Sequence, residues 1–205
     1  MCRLTDLLNE RKSIHMNAAF IIVVAVLAVV LFGWYATIVQ RKNRVDEALS
    51  DIDVQLAQRH ELVPNVLEIA KRYLSHEKEL MDNIARLRSA AQGKLSGTDP
   101  QAIAGKFSAE NQLSAGLGRL FAVAENYPEL KSDALMVRAQ ATYQEVETNV
   151  AAARRFYNAS VTDLRNACRI FPGMLIAPLA GVVHMPPFFA APAADKAPVN
   201  AADHL

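Results

Sequence analysis

Residues Met16 to Gln40 read MNAAFIIVVAVLAVVLFGWYATIVQ, 25 residues without one Asp, Glu, Lys, Arg or His. At about 1.5 Å of rise per residue, a helix of this length exceeds the hydrocarbon core of a bilayer, which is about 30 Å thick. Apolar side chains occupy every face of this helix, and Trp34 and Tyr35 stand near its end, where such rings favour the membrane interface. The sequence therefore predicts a transmembrane helix over residues 17–40, with membrane lipid as its partner.

A buried core helix and a cleaved signal peptide are the two alternatives for this run. The apolar segment of a secretory signal has about 7 to 15 residues, which is shorter, and no clear small-x-small cleavage site precedes the charged flank. Residues 1–16 contain no recognisable motif. We interpret them as a short N-terminal segment that precedes a single-pass anchor.

The orientation of the anchor depends on the basic residues that flank it. These are Arg3, Arg11 and Lys12 upstream and Arg41, Lys42 and Arg44 downstream. Basic residues favour the cytoplasmic side, and here the two flanks are nearly balanced. Translation from Met16 instead of Met1 would remove the upstream set. The choice of start stays open, and we favour a cytoplasmic location for the residues after the anchor.

The residues after the anchor form one domain with little net charge. Residues 41–171 carry 18 Lys plus Arg and 17 Asp plus Glu, a net charge of +1, and their length of about 130 residues suits a single core. This balance argues against a nucleic-acid partner. Cys2 and Cys168 lie on opposite sides of the anchor, so we expect no disulfide within one chain.

A heptad stripe of apolar residues begins directly after the anchor. Its members are Val45, Leu49, Ile52, Leu56, Val63, Val66, Ala70, Tyr73, Leu80, Ile84, Leu87 and Ala91. Such a stripe must face other helices, in its own chain or in a second copy, as in a coiled coil. Arg59 and Glu77 fill the two remaining places. We interpret them as long side chains that reach solvent. The alternative is a specificity device, a buried polar side chain that determines how the helices pair.

Proline and glycine residues mark the predicted helix boundaries, within the stripe and after it. Pro64 interrupts the stripe, and both a kinked helix and a stop with restart fit it. The connection GKLSGTDP at residues 93–100 supplies a capping Thr or Asp and leads to a second helix over residues 101–126. A break at residues 127–131 precedes the last helix, which Ser132 or Asp133 caps and which ends near Ile170.

The two later helices have their own predicted apolar faces. The residues are Ile103, Phe107, Leu113, Leu117, Leu120, Phe121 and Ala124, and then Tyr143, Val146, Val150, Ala153, Tyr157, Ser160, Leu164, Cys168 and Phe171. Gly116 and Gly118 lie within the first face, where we expect close packing of another helix. Cys168 belongs to the predicted core as a small apolar residue.

The end of the chain has a different composition. Residues 172–189 are apolar but contain four prolines and two glycines, so they cannot form a second transmembrane helix. We expect this segment to lie along the bundle or to contact lipid or a partner. Residues 190–205 are rich in Ala and Pro and predict a disordered tail.

Motifs for catalysis or metal binding are not found in the sequence. His76 and Glu77 lack the second histidine of a zinc-protease helix, and no Glu-x-x-His, Gly-x-Ser-x-Gly or phosphate-binding loop occurs. We therefore expect no catalytic residue, no metal and no cofactor.

Four blocks of sequence, in this order, closely resemble the LemA family of bacterial membrane proteins. They are IDVQLAQRHELVPNV at 52–66, ENQLSAGLGRLFAVAENYPELK at 110–131, AAARRFYNASV at 151–161 and FPGMLIA at 171–177. The resemblance implies an all-α protein, with an antiparallel bundle of three to four long helices on the cytoplasmic side of the inner membrane. The residues of the matching blocks that we select as structural or partner-contact candidates are Arg59, Pro64, Asn65, Asn111, Arg119, Glu125, Asn126, Tyr127, Arg155, Tyr157 and Asn158.

The leading hypothesis for function is a membrane-tethered scaffold or adaptor without catalytic activity. Its expected partners are unidentified membrane proteins or further copies of the chain. Because one branch of the family is associated with magnetosome membranes, organelle biogenesis or membrane remodelling is an alternative. A ligand receptor or an enzyme with a polar pocket inside the bundle is the third hypothesis.

Overall fold

The described part of the chain folds into helices and the connections between them. The computed structural model describes residues 2–93 and 99–190, and the side chains from residue 17 onward apart from Ala18. The helices are α1 (Cys2–Lys71), α2 (Lys78–Ala91), α3 (Pro100–Ala124), α4 (Pro128–Ser132), α5 (Ala134–Arg169) and α6 (Gly173–Ile176). These described residues include no β-strand, which confirms the predicted all-α class.

Pro64 neither stops nor divides α1, which runs through it to Lys71. A proline has no N–H, so the carbonyl four residues earlier, that of His60, loses its helical hydrogen bond. Arg88 on α2 replaces the missing donor, because its Nε lies 2.9 Å from the His60 oxygen. The helix therefore continues past a residue that, from sequence alone, could have ended it.

The helix is interrupted instead by a turn at residues 72–77, inside the predicted stripe. The prediction of one continuous stripe is wrong here, and Leu74, which it omitted, is fully buried in the core. The spacing of apolar residues is preserved on both sides of the turn, so periodicity gives no sign of it. Glu77 is half-buried and stands at the start of α2 rather than within a seam.

The structure divides into two compact units. Unit 1 comprises residues up to Asn43 together with Asp163–Val183, and unit 2 comprises Arg44–Thr162 together with residues from His184 onward. The sequence assigned residues 41–171 to the bundle. The end of α5, from Asp163, belongs to the unit that contains the apolar part of α1.

Unit 2 is a helical bundle with an apolar core. The core brings together residues of α1, α2, α3, α4 and the beginning of α5, including Val63, Ile84, Leu117, Leu130 and Met136. Phe107 contacts Tyr157, whereas Phe121, later in α3, contacts Tyr143, earlier in α5. The helices α3 and α5 are therefore antiparallel.

The predicted faces of α3 and α5 agree with the structure at most of their positions. All seven selected residues of α3 are buried, and Glu110 is buried with them. On the α5 stripe, Phe171 lies beyond the helix and is 72% exposed. Cys168 is buried as expected, and burial raises the pKa of its thiol.

The two glycines of α3 that we expected to permit close packing, Gly116 and Gly118, differ in their surroundings. A Cβ atom on Gly116 would lie 3.3 Å from Ile84 Cγ1 of α2, so this glycine does permit close helix packing. A Cβ atom on Gly118 would meet nothing within 4 Å. The prediction of tight packing therefore holds for Gly116 and is wrong for Gly118.

The connections use the expected capping chemistry. Asp99 accepts a hydrogen bond from the Gln101 amide at the start of α3, and Asp133 accepts from the Leu135 and Met136 amides at the start of α5. Most of the predicted break at residues 127–131 belongs to the short helix α4. Lys94–Thr98 of the α2–α3 connection lie outside the described residues.

The segment after α5 turns back at Gly173, where a Cβ atom would lie within 1.9 Å of the Ala167 carbonyl oxygen. Only glycine fits so close to this backbone, and α6 follows directly. Later in the segment, Phe189 is buried in unit 2. The predicted disordered tail lies outside the described residues except for Ala190, whose carbonyl accepts a hydrogen bond from Asn111.

Among the described residues, α1 is the one helix long and apolar enough to cross a membrane. The best 18-residue window of its stretch from Ala19 has a mean hydropathy of 2.7, and none of that window is buried. Large apolar side chains from Phe20 to Phe32 are exposed in succession. These properties make α1 a candidate membrane span.

Candidate functional site

A guanidinium and a carboxylate lie in the buried interior of unit 2. Arg59 of α1 is 2% exposed and Glu110 of α3 is fully buried. The prediction that Arg59 reaches solvent is therefore wrong, and the alternative of a buried specificity device describes its surroundings better. A buried charge requires partners, because desolvation of an unpaired ion is very costly.

Two carboxylates and one imidazole supply those partners. Arg59 Nη1 lies 3.1 Å from Glu147 Oε1 and donates to the Glu110 carbonyl at 3.3 Å, while Nη2 lies 3.5 Å from Glu110 Oε2. On the other side, His60 Nε2 lies 3.0 Å from Glu110 Oε1. Within the described residues, Arg59 Nε has no acceptor. We name Arg59, His60, Glu110 and Glu147 the buried charge cluster.

Hydroxyl groups extend the cluster toward α5. Ser114 donates to Glu147 Oε2 at 3.1 Å, and the Tyr143 hydroxyl donates to the Ser114 carbonyl at 3.2 Å. Burial raises the pKa of Tyr143 from 10.0 to about 12, so this phenol keeps its proton at neutral pH. Tyr143 therefore acts as a hydrogen-bond donor rather than as a base.

The cluster joins three helices, since its members come from α1, α3 and α5. Removal of one partner from a buried ion pair destabilises a protein by about 3–5 kcal/mol, because the other charge remains uncompensated. Arg59 and Glu110 have almost no exposed surface with which to reach a ligand. This arrangement fixes the relative positions of the helices.

A second polar site binds the chain's own C-terminal segment, residues 187–190. The Asn158 side chain makes both of its hydrogen bonds to one backbone residue, since Oδ1 accepts from the Phe189 amide at 2.9 Å and Nδ2 donates to the Phe189 carbonyl at 3.0 Å. A neighbouring β-strand offers an extended peptide the same pair of groups. Asn158 thus recognises backbone instead of a particular side chain.

Two more side chains hold the backbone on either side of Phe189. The Tyr157 hydroxyl donates to the Pro187 carbonyl at 2.8 Å, and Asn111 Nδ2 donates to the Ala190 carbonyl at 3.1 Å. Burial raises the pKa of Tyr157 to about 12, which keeps this donor protonated. Four hydrogen bonds to the main chain therefore fix a segment of four residues.

The Phe189 side chain fills a slot between α3 and α5 and is 1% exposed. Its ring stacks on Phe107 with a centroid distance of 4.0 Å and an interplanar angle of 3°. The Arg154 guanidinium covers the ring at 5.2 Å. Cation–π contact and apolar burial together anchor this residue. We name the surface of Phe107, Asn111, Arg154, Tyr157 and Asn158 the α3–α5 groove.

The structure brings some of the residues selected from sequence together and leaves others apart. Asn111, Tyr157 and Asn158 meet in the groove, Arg59 belongs to the buried charge cluster, and Pro64 frees the carbonyl that Arg88 binds. Tyr127 precedes α4 and packs half-buried against the core. The exposed residues outside both sites are Asn65, Arg119, Glu125, Asn126 and Arg155.

Sequence reasoning missed the partners at both sites. Glu110 stands between Phe107 and Leu113 on the apolar face of α3, at a place as conspicuous as that of Arg59 on α1. Two opposite charges at vacant stripe positions are the signal that could have paired them. Phe189 offered no comparable signal, because its role depends on the fold that carries it back to α3.

Metal-ligating side chains do not cluster in the part of the chain that the structure covers. Within residues 2–93 and 99–190, no group of three or more His, Cys, Asp and Glu residues could hold a metal ion.

The fold and these sites define a class of protein: an all-α bundle that follows one candidate membrane helix. A family model matches residues 48–201, and the chain therefore belongs to the LemA family. The matched range includes the groove and the segment bound in it. No curated protein matches the chain in a sequence comparison.

Proposed function

We propose that this LemA-family chain is a membrane-anchored scaffold or adaptor whose bundle presents a protein-interaction surface at the cytoplasmic face of a bacterial inner membrane. In this proposal α1 spans the bilayer and keeps unit 2 close to it. Tethering raises the local concentration of the bundle, so a weak interface suffices for assembly. The partners are membrane proteins or further copies of the chain.

The observation that carries this proposal is the binding of the chain's own residues 187–190 in the α3–α5 groove. The groove contacts the main chain at Pro187, Phe189 and Ala190, and it buries the Phe189 ring. A surface with these properties accepts any extended segment that has an aromatic residue at the matching place. Partner recognition is therefore proposed to proceed by exchange with the chain's own segment.

The polar groups of unit 2 favour contact over catalysis. Arg59 and Glu110 are buried beyond the reach of a substrate, and Tyr157 uses its hydroxyl to bind a backbone carbonyl. We therefore propose that the chain works without catalytic activity.

A peptide-binding experiment tests the groove. The peptide HMPPFFA, residues 184–190, carries a fluorophore and is titrated with the full chain in detergent micelles. Phe189→Ala vacates the slot, so this variant should bind the peptide more tightly than the wild type, whose own segment competes. Adding Asn158→Ala removes the backbone pair and should weaken binding about tenfold.

Arg155→Ala in the Phe189→Ala background is the matched control, because Arg155 is exposed on the same helix and outside the groove. Its affinity for the peptide should equal that of Phe189→Ala alone. Circular dichroism verifies the helix content of each variant, and a chain ending at Pro186 replaces Phe189→Ala if that variant loses helix. Failure of a folded, vacant groove to bind the peptide contradicts the proposal.

The proposed location has its own test. Protease added to intact spheroplasts should leave unit 2 uncut, because a cytoplasmic bundle lies behind the membrane. Cleavage of the bundle in intact spheroplasts would overturn the cytoplasmic orientation, and release of the whole chain by carbonate would overturn the anchor.

Exposed apolar residues of unit 1 favour membrane remodelling as a second candidate function. Phe171, Leu175 and Leu179 are 65–79% exposed although they are large and apolar. Such residues bind at a lipid interface and can change its curvature. Full-length protein should then alter the diameter of reconstituted vesicles, and Leu175→Ser with Leu179→Ser should not.

A further inference from the structure

Unit 1 contains a cavity of about 490 Å³ between α1 and the end of α5. Its lining residues are Val30, Gly33, Trp34, Thr37 and Arg41 of α1 and Asn166, Ala167 and Ile170 of α5. The lining changes from apolar to polar along α1, from Val30 to Arg41. These residues are eleven positions apart, which is about 16 Å along a helix. An amphipathic ligand matches such a gradient.

The polar end of the cavity has donors available. Arg41 Nη1 donates to the Asp163 carbonyl at 3.2 Å and lies 3.5 Å from Asp163 Oδ2. Within the described residues these are the contacts of Arg41, and its side chain is 38% exposed. A guanidinium has five donors, so its Nε and Nη2 groups remain for a ligand, as does the Asn166 amide. Planar guanidinium groups of this kind bind phosphate.

The charged residues that neighbour the cavity lining in sequence are mainly basic. Arg41, Lys42, Arg165 and Arg169 oppose the single carboxylate of Asp163 over residues 41–43 and 163–170. Lys42 donates to the Gly181 carbonyl at 3.3 Å, which ties the segment after α6 to α1. Basic residues beside a membrane helix attract anionic lipids.

The segment that Lys42 binds carries apolar side chains outward. Its exposed large apolar residues are Ile170, Phe171, Met174, Leu175, Leu179 and Val183. Unit 1 also contains the exposed apolar stretch of α1. Both surfaces suit contact with lipid, and Trp34 suits the interface between hydrocarbon and water.

We propose that the unit 1 cavity binds one anionic phospholipid, an inference that rests on the proposed membrane anchoring. The headgroup phosphate accepts hydrogen bonds from Arg41 and Asn166, and the upper part of an acyl chain lies along Val30 and Gly33. Asp163 holds the Arg41 guanidinium in place. The site selects lipid by charge, and it lies in a different unit from the α3–α5 groove.

Trp34 provides the assay, because it lines the cavity and is the only tryptophan of the chain. Full-length protein is placed in phosphatidylcholine nanodiscs that contain equal fractions of brominated phosphatidylglycerol or brominated phosphatidylcholine. Bromine quenches indole fluorescence at short range. Brominated phosphatidylglycerol should quench Trp34 more strongly than brominated phosphatidylcholine, and Arg41→Gln should lower this selectivity about fivefold.

Two further variants separate a built site from general charge attraction. Arg44→Gln removes an equal charge three residues later, where the guanidinium covers Phe156 in unit 2, and it should retain most of the selectivity. Gly33→Leu keeps every charge and fills the cavity, since nothing lies within 4 Å of a Cβ at Gly33. It should lower the selectivity as Arg41→Gln does. Circular dichroism shows whether each variant remains helical.

The outcomes of this experiment are decisive in each direction. Equal quenching by the two brominated lipids in the wild type, or equal losses in Arg41→Gln and Arg44→Gln, would overturn the lipid site. Inorganic phosphate added to the discs should not displace the lipid, and displacement would indicate a site for free anions instead. Peptide binding by the Phe189→Ala variant is measured separately, so failure here leaves the proposed groove function intact.

Discussion

The two parts of α1 use apolar side chains in opposite ways. In unit 1, Phe20 and Phe32 are each 71% exposed, whereas in unit 2 Val63 on the same helix is fully buried. The first part is apolar on all faces, and the second alternates an apolar stripe with charged residues. A uniform apolar surface suits lipid, while a stripe suits a helix that has protein on one side and water on the other. One uninterrupted helix thus contains two surfaces that suit different solvents.

Introduction of an arginine into each of these two surfaces, in separate variants, should give the largest effects. Val63→Arg places a guanidinium in a dry core without a partner, so unit 2 should fail to fold. Val26→Arg should make membrane insertion less favourable by about 2.5–3.5 kcal/mol and leave the thermal unfolding of the bundle unchanged. Carbonate extraction and circular dichroism measure the two properties, and each variant is the control for the other. Unfolding of the bundle by Val26→Arg would contradict the comparison.

Loss of the buried cation should be the next largest effect and confined to unit 2. Arg59→Ala leaves Glu110 buried without its ion pair, so the free energy of unfolding should fall by about 3–5 kcal/mol. Replacing both residues, as Arg59→Met with Glu110→Leu, should restore most of the loss. Urea unfolding of the full chain in micelles provides the measurement. Arg119 is exposed, so Arg119→Ala serves as the control and should change the free energy of unfolding by less than about 0.5 kcal/mol. An effect of Arg59→Ala as small as that of the control would refute the role of the cluster.

Alkaline pH should weaken unit 2 through its buried phenols. The pKa values of Tyr143 and Tyr157 rise from 10.0 to about 12, so the unfolded chain loses these protons first. The stability that the two phenols contribute is complete below pH 10 and declines as the pH rises from 10 to about 12. Urea midpoints at about pH 9 and about pH 11 should show the decline. The variant with Tyr143→Phe and Tyr157→Phe should show less of it, and an identical decline would assign the effect to other groups.

Glycine replacements should give the smallest effect and distinguish the regions by packing. Gly118→Ala meets nothing within 4 Å and should raise the free energy of unfolding by about 0.5–1 kcal/mol. Gly116→Ala should gain less, because its Cβ would lie 3.3 Å from Ile84 Cγ1. Gly33→Ala, in unit 1, should leave bundle unfolding unchanged. Urea midpoints order the three variants, and a larger gain at Gly116 would indicate that α2 packs more loosely than the structure shows.

Local chemistry predicted those parts of the fold that depend on neighbouring residues. The unbroken apolar run indicated α1, Asp99 and Asp133 indicated helix starts, and the apolar face of α3 was complete. Contacts distant in sequence were not predictable in the same way. Arg88 stabilises α1 at Pro64 from another helix, and Phe189 reaches Phe107 across 82 residues of chain. Periodicity describes one helix at a time, so it contains no information about such pairs.

The hydrogen bond from Arg88 to the His60 carbonyl makes the integrity of α1 at Pro64 a property of two helices. A helix normally satisfies its own main chain, and its turns can then open one by one. Here, separation of α2 leaves a main-chain acceptor bare in a half-buried position, and displacement of α1 leaves a guanidinium without its acceptor. Neither helix can unfold at this point without leaving a polar group of the other helix unpaired, and the unfolding of the two helices is therefore cooperative.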